Sequence, residues 1–93
     1  MLPFRELKLS SLVYYRVFHQ DIDIEELKWH MDEEDRVVII LNKTDWKFQF
    51  DNELPIDLYK YNTIEIPAGK YHRVIKGDSK KLHVLILKKK FKK

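Results

Sequence analysis

Residues 63–75, TIEIPAGKYHRVI, constrain what this chain can fold into more than any other stretch: two short alternating runs meet at a Pro-Ala-Gly corner, and the second run carries a histidine. Pro67 has no amide hydrogen to give to a neighbouring strand, so pairing stops there. Gly69, two residues on, permits the positive φ that a tight reversal needs. His72 is therefore delivered just inside a new strand, aimed from a rigid corner.

The rest of the chain reads as more strands. Glycine occurs only at Gly69 and Gly77, and β-branched and aromatic residues dominate between polar corners. Over 11–18, SLVYYRVF, Leu12, Tyr14 and Arg16 share one face while Val13, Tyr15 and Val17 share the other. Residues 19–23 read as a polar turn with His19 facing solvent. The next stretch, IDIEEL, fits a strand or a helical turn, and the strand is favoured; 26–31, ELKWHM, follows it. VVIIL, 37–41, is apolar at every position, which predicts a strand covered on both sides, the second cover coming from a partner subunit. WKFQF, 46–50, alternates cleanly, with Trp46, Phe48 and Phe50 inward. Strands over 56–61 and 82–87 complete a set of about eight, separated by turns at 42–45, 51–55 and 76–80. This spacing predicts a small antiparallel β-barrel or double-sheet jelly roll, all-β, in one domain over 1–93. A five-stranded nucleic-acid-binding barrel is disfavoured, because the strands are too many.

Charge position matters more than the pI of 9.1. Five of the 18 lysines and arginines lie in the last six residues, KKKFKK, and without them 13 basic residues face 15 acidic ones. The basic segment over 88–93 is expected to be a solvated end, or a continuation of the last strand with Phe91 packing back; contact with phosphate or anionic lipid is the less favoured reading. Cysteine is absent, so neither a disulfide nor a thiolate zinc site is available. The start of the chain has no basic region leading into an apolar stretch, and no run approaches the roughly 20 apolar residues that cross a bilayer. A soluble, cytoplasmic protein is expected. There is no Gly-rich phosphate loop and no nucleophile elbow, and Ser10, Ser11 and Ser79 stand in no evident arrangement with a base.

IPAGKYHRV resembles the second motif of the cupin superfamily at Pro67, Gly69 and His72, although Tyr61 stands where that motif has a glycine and Lys76 where it has an asparagine. WHMDEEDRVVIILNK is similar in layout to the first motif, with His30 in place but Asp32 for the second histidine, Arg36 for the glutamate and Lys43 for the glycine. The resemblance runs over 29–87. It implies a barrel with an internal site holding a divalent metal, iron, manganese or zinc, through His30, Asp32 and His72, as in a metal-dependent isomerase or oxygenase. Arg36 complicates this, because a guanidinium stays protonated and repels a cation beside it. Either Arg36 pairs with Glu33 or Glu34, or the metal site is altered or lost. In the latter case Arg36, His30 and His72 would line a cationic cup for a small anionic molecule, a carboxylate or phosphate, with Trp29 walling the pocket. This second reading is the favoured one, and whether the protein is an enzyme stays open. His83, sharing a face with Leu85 and Leu87, is expected to be packed with one hydrogen bond. The acidic run 32–35 is expected to be a solvated turn rather than a calcium loop. Expected partners are a small-molecule ligand and a second copy of the chain as a homodimer; nucleic acid and membrane are not expected.

Overall fold

The computed structural model describes residues 3–78 and 80–89. Alternation becomes eight strands: β1 Arg5–Lys8, β2 Val13–Phe18, β3 Arg36–Ile40, β4 Lys47–Phe50, β5 Ile56–Asp57, β6 Thr63–Ile66, β7 His72–Ile75 and β8 Leu82–Lys88. They pair antiparallel throughout, in a five-stranded sheet of order β1-β2-β8-β3-β6 and a three-stranded sheet of order β5-β4-β7. The molecule is all-β, a double-sheet barrel as its sequence predicts.

Parity decides what faces inward. On β2 the inner positions are Tyr14, Arg16 and Phe18, on β3 Arg36, Val38 and Ile40, and on β8 Leu82, Val84 and Ile86; the register sets Arg16 opposite Val84 and Val38 opposite Ile86. These meet Trp46, Phe48 and Leu58 from the other sheet to make one apolar cluster. The three aromatics of 46–50 do face the interior, and Trp46 at 1% exposure closes its far end, its indole Nε1 donating to the Lys80 carbonyl at 2.6 Å. The outer positions of β3, Val37 and Ile39, are half-buried beside Leu87 and Leu85. The chain thus covers one side of VVIIL, and its own next strands shield the other only in part.

Local structure departs from the sequence reading, or adds to it, at several points. IDIEEL holds a 3₁₀ turn, Ile24–Glu26, instead of a strand, because Asp23 caps it: its Oδ1 accepts from the Glu25 amide at 3.0 Å. ELKWHM touches β7 through a single bridge at His30. RELK, which has no apolar alternation to betray it, pairs with β2 as an exposed, charged edge. His19 is half-buried rather than solvent-facing. Of the basic end, Lys88 belongs to β8, while 90–93 and Ser79 lie outside the described residues. No helix among the described residues is long and apolar enough to cross a membrane.

Backbone geometry explains the two glycines and one tyrosine. Gly69 has φ 76°, as the corner requires. Gly77 lies against Asp45, whose carboxylate accepts from the Asp78 amide at 2.8 Å; a Cβ on Gly77 would collide with that carboxylate and come 2.8 Å from the Asp45 backbone carbon. Tyr61 has φ 69° in the tight turn before β6, where its amide donates to the Ile40 carbonyl at 2.6 Å. That conformation cuts the strand expected over 56–61 down to Ile56–Asp57, and it accounts physically for a glycine at this position of the motif. A left-handed non-glycine residue costs about 1–2 kcal/mol, against about 0.5–1 kcal/mol of extra chain entropy that glycine loses on folding. The Tyr61 side chain, 69% exposed, adds little packing. Tyr61→Gly is therefore expected to stabilise the fold by about 0.5–1 kcal/mol, a gain that urea denaturation would reveal as a raised midpoint at unchanged slope.

Candidate functional site

His72 opens β7 directly after the corner, and the segment 30–35 is fastened alongside it. His30 and His72 exchange backbone hydrogen bonds of 3.0 and 2.9 Å, the Gly69 amide donates to the Asp32 carbonyl at 2.9 Å, and the Ala68 amide donates to Asp35 Oδ1 at 2.7 Å. The acidic run is thus only partly solvated: Glu33 and Asp35 are exposed, but Asp35 anchors the corner, and Asp32 and Glu34 turn toward the interior.

This fastening brings His30, Asp32 and His72 together. One ligand atom from each lies within 4.8 Å of the other two. The imidazole centroids are 4.3 Å apart, and Phe48 stacks on His72 at 5.5 Å. His72 is 4% exposed, whereas His30 stands at the mouth. His72 Nδ1 faces the Lys70 carbonyl at 2.8 Å, and His30 Nδ1 faces the Lys28 carbonyl at 3.1 Å. A carbonyl only accepts, so both Nδ1 atoms carry a proton, and a neutral ring then presents a bare Nε2. The Asp32 side chain is 9% exposed, and its Oδ2, 3.4 Å from His72 Nε2, is buried without a hydrogen-bond partner among the described residues. The approach to His72 is electrostatic and falls short of a formed hydrogen bond.

Charge around the cluster is matched. Arg36 points into the same hollow and donates from Nε and Nη2 to Glu34 Oε1 at 3.1 and 2.9 Å, while its Nη2 lies 3.3 Å from Asp32 Oδ1. It therefore takes the Glu34 partner anticipated from the sequence without leaving the interior. Burial, the largest influence on Asp32, raises its pKa, but contact with His72 and the charges of Arg36 and the two imidazoles together outweigh it, and the carboxylate is held below its usual value. Burial likewise lowers His30, with the charges of His72 and Arg36 acting in the same direction against the Lys28 carbonyl and Asp32. At neutral pH the cluster is a carboxylate beside a neutral His30 ring.

The hollow behind the cluster is half-open, about 400 Å³, and runs between the two sheets. It is walled by His30, Asp32, Arg36 and His72, but not by Trp29, which is 41% exposed and carries the Arg73 guanidinium 4.5 Å from its ring centroid. Arg16 enters the hollow without having been singled out as a site residue. It is hydrogen-bonded to Glu6 at 2.6 Å and lies 3.7 Å over the Phe4 ring. Its signal in the sequence was a charge at an inward position between Tyr14 and Phe18. His83 is packed on the outer face as expected, sharing a 2.6 Å hydrogen bond with the Tyr15 hydroxyl.

No protein-family model matches the sequence, and no curated protein does. Solved structures do. The chain is similar to an RmlC-like cupin family protein with a double-stranded β-helix fold from Methanocaldococcus jannaschii, at 15% identity and a TM-score of 0.71 over 91% of this chain and 76% of that one. It is similar to the DMSP lyase DddQ from Ruegeria pomeroyi, at 16% identity and 0.71 over 95% and 47%. A structure of the DMSP lyases RdDddP and RnDddQII gives 17% identity and 0.70 over 84% and 37%. The chain thus spans less than half the length of the two lyase chains. At these identities the likeness is one of architecture, and the fold is that of the cupin superfamily.

The carbonyl contacts fix a proton arrangement that can be read directly. Long-range ¹H–¹⁵N correlation spectra at neutral pH are expected to show His30 and His72 as Nδ1-protonated rings; an Nε2-protonated ring at either position would contradict the geometry.

Proposed function

We propose that this chain, which has the cupin fold, binds a divalent metal ion through His30, Asp32 and His72 and uses it to hold a small molecule in the barrel interior. The observation that carries the reading is that these three residues bring one possible ligand atom each within 4.8 Å of the others, and that Asp32 Oδ2 among them is buried with no hydrogen-bond partner among the described residues. An ionised acceptor left without a donor in a dry site is costly, whereas two imidazoles and one carboxylate form a donor set that iron, manganese or zinc accepts. The Lys70 and Lys28 carbonyls act as the outer partners that fix each imidazole's tautomer.

Bound there, such an ion would act as a Lewis acid on an oxygen of the ligand. The chain's own residues do the rest: Phe48 fixes the plane of the His72 ring, and Arg36 holds one oxygen of Asp32 so that the other faces the imidazoles. The metal-free cup of Arg36, His30 and His72 has less support, because Glu34 and Asp32 already neutralise the guanidinium.

Protein purified without added metal and then loaded with zinc or manganese is expected to retain about one ion per chain by elemental analysis. His72→Ala and Asp32→Asn are expected to lower metal affinity at least tenfold, and Arg36→Lys much less. Equal retention by wild type and His72→Ala would sink the proposal.

A homodimer in the cytoplasm belongs to the same proposal. The outer face of the five-stranded sheet aligns Val13, Leu87 and Val37 in one row and Tyr15, Leu85 and Ile39 in the next. Such a face suits a second copy of the chain. Sedimentation velocity at micromolar concentration is expected to give twice the chain mass, and Leu85→Lys to return it to the single chain.

A further inference from the structure

We infer that the molecule held in the hollow is an acid with a hydrocarbon body, its anionic head at the His30, Asp32 and His72 cluster and its body laid between the sheets. The inference rests on the metal-binding reading for the head and on the walls for the body. Leaving the cluster along β3, β7 and β8, the inward positions are apolar: Arg36 gives way to Val38 and Ile40, His72 to Val74, and Lys88 to Ile86, Val84 and Leu82. Besides the cluster and Arg36, the described polar side chains that line the hollow are Glu26 and Lys28, both exposed to solvent, and Arg16, whose guanidinium is already engaged by Glu6 and stacked on Phe4. A polyhydroxylated ligand would leave its hydroxyls without partners there. Hydrocarbon would instead gain about 0.8 kcal/mol, or about fourfold in affinity, for each methylene buried. At about 400 Å³ the space falls in the range of small-ligand sites.

Charge selects the head. Arg16, Arg36 and Lys88 balance Glu6, Glu34 and Asp32 about the hollow, and Lys28 balances Glu26, so a bound divalent ion leaves an excess of positive charge for the ligand to meet. An anion satisfies it, and a neutral alcohol or amine does not.

Calorimetry on the full chain, zinc-loaded and chelator-treated in parallel, with acetate, butanoate, hexanoate and octanoate tests this, gluconate serving as a polyhydroxylated acid of hexanoate's length. The expected result is a threefold to fourfold rise in affinity per added methylene up to at least hexanoate, with gluconate at least tenfold weaker than hexanoate. Ile64→Phe, which narrows the hollow from the half-buried edge strand β6, is expected to erase the gain with length and leave acetate unchanged. Affinity flat with length, gluconate matching hexanoate, octanoate binding untouched by Ile64→Phe, or no octanoate binding in either form would each overturn the inference. The gain with length is read in both forms of the protein. A failure to take up zinc therefore removes the metal reading and, with it, the place of the anionic head, whereas a flat series in loaded protein removes this inference alone.

Discussion

The site depends on a short seam of backbone hydrogen bonds between 30–35 and the corner at 68–72. His30 and His72 are 42 positions apart, and nothing in either segment would hold its imidazole near the other's without the reciprocal His30–His72 pair. Asp32 adds its carbonyl to the seam and Asp35 its carboxylate, so the residues that supply charge to the neighbourhood also supply its fastening. The seam turns two irregular segments into something as fixed as a strand pair, which a first shell of ligands needs if it is to be positioned without a long ordered loop.

Most of the architecture was legible beforehand because strand parity is a strong signal where one face is buried. Trp46, Phe48 and Phe50 alternate with Lys47 and Gln49, and no other arrangement hides the aromatics. The corner was legible for a stricter reason, since Pro67 and Gly69 leave few backbone paths open. The failures fall where the side-chain pattern is weak. Arg5–Lys8 pairs through its backbone and the Glu6–Arg16 contact, and a charged edge strand looks like a loop in sequence. IDIEEL failed because one capping carboxylate at Asp23 outweighed a weak β pattern.

His30, Asp32, Arg36 and His72, singled out by motif resemblance, lie together in the fold, but spacing alone could not say how Arg36 and Asp32 divide their charge. Each has a third party: Glu34 takes most of the guanidinium, and the imidazoles face the carboxylate oxygen that Arg36 leaves free. A guanidinium that looks hostile to a cation in sequence is matched in the fold by neighbouring acids. Trp29 shows the converse: it sits next to a site residue in sequence, yet Arg73 holds it outside the hollow. Arg16 was overlooked because an inward arginine reads as an interruption of a core strand, whereas here Glu6 and Phe4 give it a partner and a platform.

The unforeseen first strand has a consequence for how this molecule meets others. β1 borders the five-stranded sheet with Arg5, Glu6 and Lys8 among its four residues, all exposed, and an incoming backbone would have to lie along that charged selvedge to extend the ladder. The hydrophobic surface of the sheet is broadside, while this margin is guarded against the open-ended strand addition that leads to fibres.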